Sequence, residues 1–232
     1  RIIKISLILL LVGMAVIAAV PFFKEKRAER KYENEFKKIQ ESVTEKKSDV
    51  NGLVKKNKDC IGYVEIQGTT ISYPVMQTKD NPDFYLNHDF NRNYSFYGTP
   101  YLSAYCDVEK SDNLIIYGHN INGGKMFGAL EQYKDKEFFY KHRKIYFTTD
   151  KKREYEVFAV MSVNIHEFEY WKFVMARDEK EYDEFVDKVE EHSLWRQGNK
   201  PKYGEQMLML STCDNGKGDD WRIVLIAKCV YS

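Results

Sequence analysis

The chain has 232 residues, enough for one sizeable domain with appendages. Apolar residues make up 43% and charged residues 31%, so a packed core is within reach and wholesale disorder is excluded. A net charge of +1 gives no electrostatic case for nucleic acid, and no such partner is expected.

The first element in chain order is an uncharged, apolar run from Ile5 to Phe23. About 20 such residues span a bilayer as a helix. A cleaved signal peptide is the competing reading, but Ala18-Ala19 runs into Pro21-Phe22-Phe23 without a small-x-small cleavage site. The expectation is an uncleaved transmembrane signal anchor over residues 1–23. Lys24, Lys26, Arg27, Arg30 and Lys31 follow it, so flanking charge alone does not orient the span. Residues 24–57 read as a helical segment, with Tyr32, Phe36, Ile39 and Val43 at helical spacing. The stripe favours a helix that packs on the following domain over a solvated stalk.

Residues 58–232 change texture to short strands and turns. Ile61 to Ile66 alternates, and Thr70 to Val75 follows, with Pro74 marking an edge or a strand end. Asn81-Pro82 opens a loop or helical turn that carries Tyr85 and Leu86. Strands are expected at Thr99–Ser103, Asn113–His119, Gln206–Thr212 and Trp221–Val230, and a hairpin joins Lys144–Thr149 to Arg153–Val163. A short helix carries Met126-Phe127, Leu130 and Tyr133. Asp178 to Leu194 is an amphipathic helix with Tyr182, Phe185, Val189 and Leu194 inward. Many short strands with few helices indicate a closed or sandwiched β architecture.

Of the four cysteines, none forms a CxxC pair, and no His/Cys cluster has zinc-ligand spacing. Cys60, Cys106 and Cys229 read as small buried hydrophobes rather than a disulfide framework. Cys213 differs, because it ends the run Met209-Leu210-Ser211-Thr212 and is followed by the polar, Gly-rich loop Asp214 to Asp220. A buried structural cysteine at a strand end is the plainer reading of such a position, but the polar loop places the thiol at a rim, where a base or a cation can turn it into a nucleophile. His119 ends the run Asn113 to Gly118, whereas the other histidines lie in charged or loop-like surroundings. Histidine is the usual acid or base near neutral pH. Arg222 sits among strand hydrophobes and needs an anionic partner. A developing oxyanion is one such partner; the alternatives are an arginine snorkelling into solvent at a barrel rim, or one paired with Asp219 or Asp220. Phe168, Tyr170 and Trp171 form an aromatic cluster that either lines a peptide groove or packs under a long connection.

Leu-Ser-Thr-Cys at 210–213 with Arg222 after it, and Tyr-Gly-His-Asn at 117–120, resemble the sortases, membrane-anchored cysteine transpeptidases of Gram-positive bacteria. Tyr73-Pro74-Val75-Met76-Gln77, Tyr85-Leu86 and Met126-Phe127 are similar to class B of that family. Met209 departs from the Thr that usually precedes this motif, and Gly98-Thr99-Pro100-Tyr101-Leu102 departs from the usual Gly-x-x-Phe.

The resemblance implies a mainly β fold: a closed eight-stranded barrel with an N-terminal helical segment, a short helix after the His strand and a longer one between the sixth and seventh strands. It implies that Cys213 attacks the Thr carbonyl of a C-terminal sorting motif, that His119 exchanges the proton, and that Arg222 stabilises the oxyanion. The active pair would be thiolate with imidazolium, which gives a bell-shaped pH profile. An amine of a cell-wall peptidoglycan precursor resolves the thioester. Leu86, Tyr170, Trp171, Ser211 and Thr212 fall at sorting-peptide positions, and Asp214 joins them as a groove residue. The catalytic domain would lie outside the membrane, tethered by the N-terminal helix. No cofactor and no metal are implied. Three alternatives stand beside this reading: a pilin polymerase using a pilin Lys, a membrane-tethered cysteine hydrolase, and an inactive wall-binding module.

Overall fold

Alternating and continuous apolar runs build the barrel strands in a computed structural model that describes residues 2–45 and 50–231. Two units are distinguished, residues 1–41 and 42–232. The first is built from helix α1 (Ile2–Glu45) as far as residue 41, and in it the rings of Tyr32 and Phe36 lie 4.9 Å apart, one helical turn from each other. The apolar run does not form a separate element: α1 continues without a break past Pro21 into the charged segment. Among the described residues no helix is long and apolar enough to cross a membrane. This finding overturns the transmembrane anchor, the single-pass localisation and the tether to a membrane partner.

The second unit opens with helix α2 (Val50–Lys56), then β1 (Cys60–Ile66) and β2 (Ser72–Met76). Next come β3 (Tyr101–Leu102), β4 (Asn113–Tyr117) and the small hairpin of β5 (Asn120–Ile121) and β6 (Lys125–Met126). A 3-10 helix, Phe127–Lys134, and helix α3 (Lys136–Lys141) lead to β7 (Lys144–Thr148) and β8 (Lys152–Asn164). Helix α4 (Glu179–Glu191) precedes β9 (Ser193–Arg196), β10 (Met207–Cys213) and β11 (Trp221–Tyr231).

The sheet runs β11-β10-β4-β3-β2-β1-β7-β8, and β11 also pairs with β8, which closes eight strands into a barrel. Strand β9 pairs with β8 at Ala159, Val160 and Met161, beyond the stretch that pairs with β7. Closure removes the free edges of a sheet. Met207 to Leu210 and Ile223 to Ala227 are buried on both faces, which is why these strands read as continuous rather than alternating runs.

Pro74 lies inside β2 rather than at its end. It is tolerated because β3 pairs with β2 only at Met76↔Tyr101, leaving that edge open beside a residue with no N–H to offer. Asp178 caps α4 by accepting from the Glu181 amide, and Tyr182, Phe185 and Val189 are buried as expected. Leu194 is 40% exposed on β9 instead, because α4 has already ended at Glu191.

Candidate active site

Three strand ends meet at one rim of the barrel. Strand β4 runs parallel to β10 in the register Ser211↔Tyr117, so Gly118-His119 leaves the sheet beside Thr212-Cys213. Strand β11 runs antiparallel to β10 and sets Arg222 directly opposite Cys213. Directly opposed residues send their side chains to the same face of a sheet. His119, Cys213 and Arg222 accordingly line one cleft of about 990 Å³.

The His119 loop is fastened to the Cys213 strand. The Gly118 amide donates to the Ser211 carbonyl at 3.1 Å, and Thr212 Oγ1 donates to the Gly118 carbonyl at 2.7 Å. Gly118 has no Cβ, and one built there would lie 2.8 Å from the Phe127 ring. Phe127 closes the other side, its amide donating to the His119 carbonyl at 2.9 Å. The imidazole itself is held by its Nε2, which donates to the Leu86 carbonyl at 2.8 Å. A carbonyl only accepts, so Nε2 carries hydrogen and Nδ1 is the ring atom left to exchange a proton. The Phe96 ring lies parallel to the imidazole, centroids 6.4 Å apart.

Cys213 is half-buried, with its carbonyl accepting from Asn120 Nδ2 at 2.7 Å. Arg222 does not pair with the carboxylate of Asp219 or Asp220. One guanidinium nitrogen donates to the backbone carbonyls of Asp219 at 2.5 Å and Trp221 at 2.9 Å. This anchors the head at the strand end without neutralising it. Burial raises the Tyr117 and Tyr170 phenols, and the Arg222 charge acts against that rise without reversing it.

Leu86, Tyr170, Trp171, Ser211 and Thr212 all line the cleft. The Tyr170 and Ser211 hydroxyls are hydrogen-bonded at 2.7 Å. Burial pushes the Tyr170 phenol up to about 12, against the pull of Ser211 and Arg222. The groove role expected of the Asp214 side chain is corrected by its position. It is completely buried, accepting from Lys134 Nζ and Ser162 Oγ, each at 2.6 Å. A carboxylate out of water needs such partners. Burial alone would raise its pKa, but the bonds from Lys134 and Ser162 outweigh that and hold it below the usual carboxylate range.

Sequence reasoning did not single out Asp83, Tyr101 or Tyr117, which also line the cleft. Tyr101 donates to Asp83 at 3.1 Å. Tyr117 and Asn120 stood within the Tyr-Gly-His-Asn stretch and were the signal available. Among the described residues no group of three or more His, Cys, Asp or Glu side chains is placed to hold a metal ion.

A sequence model of the Sortase domain matches residues 64–230, and the chain belongs to the sortase family. It is 32% identical to sortase B of Listeria monocytogenes over 189 residues, covering 80% of this chain and 76% of that protein. It is 27% identical to sortase B of Staphylococcus aureus over 236 residues, covering 99% and 96%. A crystal structure of Staphylococcus aureus sortase B superposes with a TM-score of 0.77 at 28% identity, over 88% of this chain and 98% of the other. The protein is thus a cysteine transpeptidase of the class B kind.

Proposed function

We propose that this transpeptidase cleaves a C-terminal sorting motif after Thr and joins the freed carbonyl to a peptidoglycan amine through a thioester on Cys213. The supporting observation is the convergence of Cys213, Arg222 and His119 on one cleft at the ends of three adjacent strands.

In the first step Cys213 Sγ bonds to the Thr carbonyl carbon and the amide C–N bond breaks. His119 gives its Nδ1 proton to the departing amine. In the second step the acceptor amine attacks the thioester carbon, His119 takes its proton, and the thiolate leaves. Arg222 faces the oxygen that carries charge in both tetrahedral intermediates, where a positioned cation is worth most. Leu86 and Trp171 supply apolar walls for the peptide, beside the Tyr170–Ser211 pair. Thr212 holds the His119 loop through the Gly118 carbonyl.

The test is mass spectrometry of the protein after exposure to a library of sorting peptides, with and without an amine. The expected result is an acyl adduct on Cys213 that an amine converts to ligated product. Product that ignores the amine, or peptide cleavage that survives Cys213→Ala, overturns the proposal.

A further inference from the structure

We infer that Lys134 is a positioning residue, whose ammonium ties the residue after Cys213 to the residue after His119. It ends the 3-10 helix Phe127–Lys134. Its Nζ lies 2.6 Å from Asp214 Oδ1 and 2.7 Å from Glu131 Oε2. The other oxygen of Glu131 accepts from Asn120 Nδ2 at 2.7 Å, and Asn120 Nδ2 also donates to the Cys213 carbonyl at 2.7 Å. The Cys213–Asp214 peptide bond completes a ring: Cys213, Asn120, Glu131, Lys134, Asp214.

Every link of that ring restrains the strand end that carries the thiol or the loop that carries the imidazole. The 3-10 helix can hold its side of the ring because Gly128 packs against the loop. A Cβ there would lie 2.3 Å from the Ile121 carbonyl and 3.2 Å from Asn120 Oδ1. Asp214 is the member that most needs the cation, since it is completely buried beside the nucleophile. Without Lys134 its carboxylate would be left with neutral donors, and the backbone at Cys213 would shift to let water reach it. A small displacement of a reacting group costs rate rather than ground-state binding.

Lys134→Met keeps the length of the stem and removes the charge. The expected result is a fall in kcat of about 10- to 100-fold, with the KM of the sorting peptide unchanged. Lys134→Arg restores part of the rate. Asn120→Ala lowers kcat by itself, and the double variant is no slower than the slower single one, because both cut one ring. A lowered melting temperature with wild-type kcat overturns the inference, and so do fully additive losses in the double variant.

If Lys134→Met does not fold, Glu131→Ala carries the test, since Glu131 is partly exposed and cuts the ring between Lys134 and Asn120. A fall in kcat of about tenfold at constant KM supports the inference, and a wild-type kcat overturns it. The inference rests on the assignment of Cys213 and His119. Cys213→Ala, measured in parallel, separates the two failures. Activity in that variant means the assignment is wrong. Inactivity there, with wild-type kcat in Lys134→Met, refutes the positioning role alone.

Discussion

Cys213 and Arg222 face each other as directly opposed residues on the β10–β11 ladder. The pair is set by strand register, which sends both side chains to the same face of the sheet. Arg222 is also tethered to the carbonyls of Asp219 and Trp221, which leaves its charge uncancelled. Arg222→Ala is therefore expected to lower kcat by about 10²–10³-fold, the scale of one oxyanion donor. Arg222→Lys keeps the charge but loses the planar fork and recovers only part of that. Steady-state transpeptidation assays on folded variants check both, and a wild-type rate in Arg222→Ala would exclude the role.

Thiol chemistry separates Cys213 from its buried counterparts. Burial pushes Cys60 up to about 12 and Cys106 up to about 11, against one hydrogen bond at Cys60 and two at Cys106 that pull the other way. Such thiols hold almost no thiolate near neutral pH, and they are closed to reagents. Cys213 lies on the cleft. In a Cys229→Ser background, iodoacetamide at about pH 8 should modify the native protein once, on Cys213, since the thiolate is the attacking species. Peptide mapping reads the site, and an adduct on Cys60 or Cys106 of the folded protein would contradict the burial argument.

Gly118 is where the backbone and an aromatic ring come too close for a side chain. Gly118→Ala drives a methyl group against Phe127 and displaces His119, the next residue. The expected cost is about 1–3 kcal/mol of stability, the range for overpacking a filled site. A loss of activity larger than the fall in folded fraction should accompany it. Denaturant melts and kcat at a temperature where the variant is folded measure the two effects separately.

Part of this site was legible because its residues are close in sequence or share a strand pattern. Cys213 and His119 each end an apolar run, and strand alternation already set Arg222 on a defined face. The barrel followed from strand texture and from the family resemblance carried by those motifs. Asp214 was not legible, because its cation lies 80 residues away and only the folded chain brings Lys134 to it. Strand β3 is shorter than the expected Thr99–Ser103, since Pro100 has no N–H and contributes only its carbonyl, which accepts from Met76. The run Ile5 to Phe23 suggested a membrane span because a hydropathy window sees composition. In the structure that run is part of the longer helix Ile2–Glu45, and among the described residues no helix is long and apolar enough to cross a membrane.

The Lys134–Asp214 pair also sets an acid limit to stability. Asp214 binds its proton less tightly folded than unfolded, through Lys134 and Ser162, which outweigh its burial. Its contribution is therefore complete above the unfolded carboxylate value, about 3.9, and is lost as pH falls through the lower folded value. Lys134 is shifted the opposite way: burial would lower it, but Asp214 and Glu131 raise it. Its contribution is complete below about 10.4 and is lost as pH rises through the folded value. Both contributions are intact across the neutral range. The wild-type melting temperature should fall more steeply from about pH 5 to pH 3 than that of Asp214→Asn, which has no proton to gain there. Parallel slopes in calorimetric scans of the two proteins would mean that Asp214 is not linked to folding in this way.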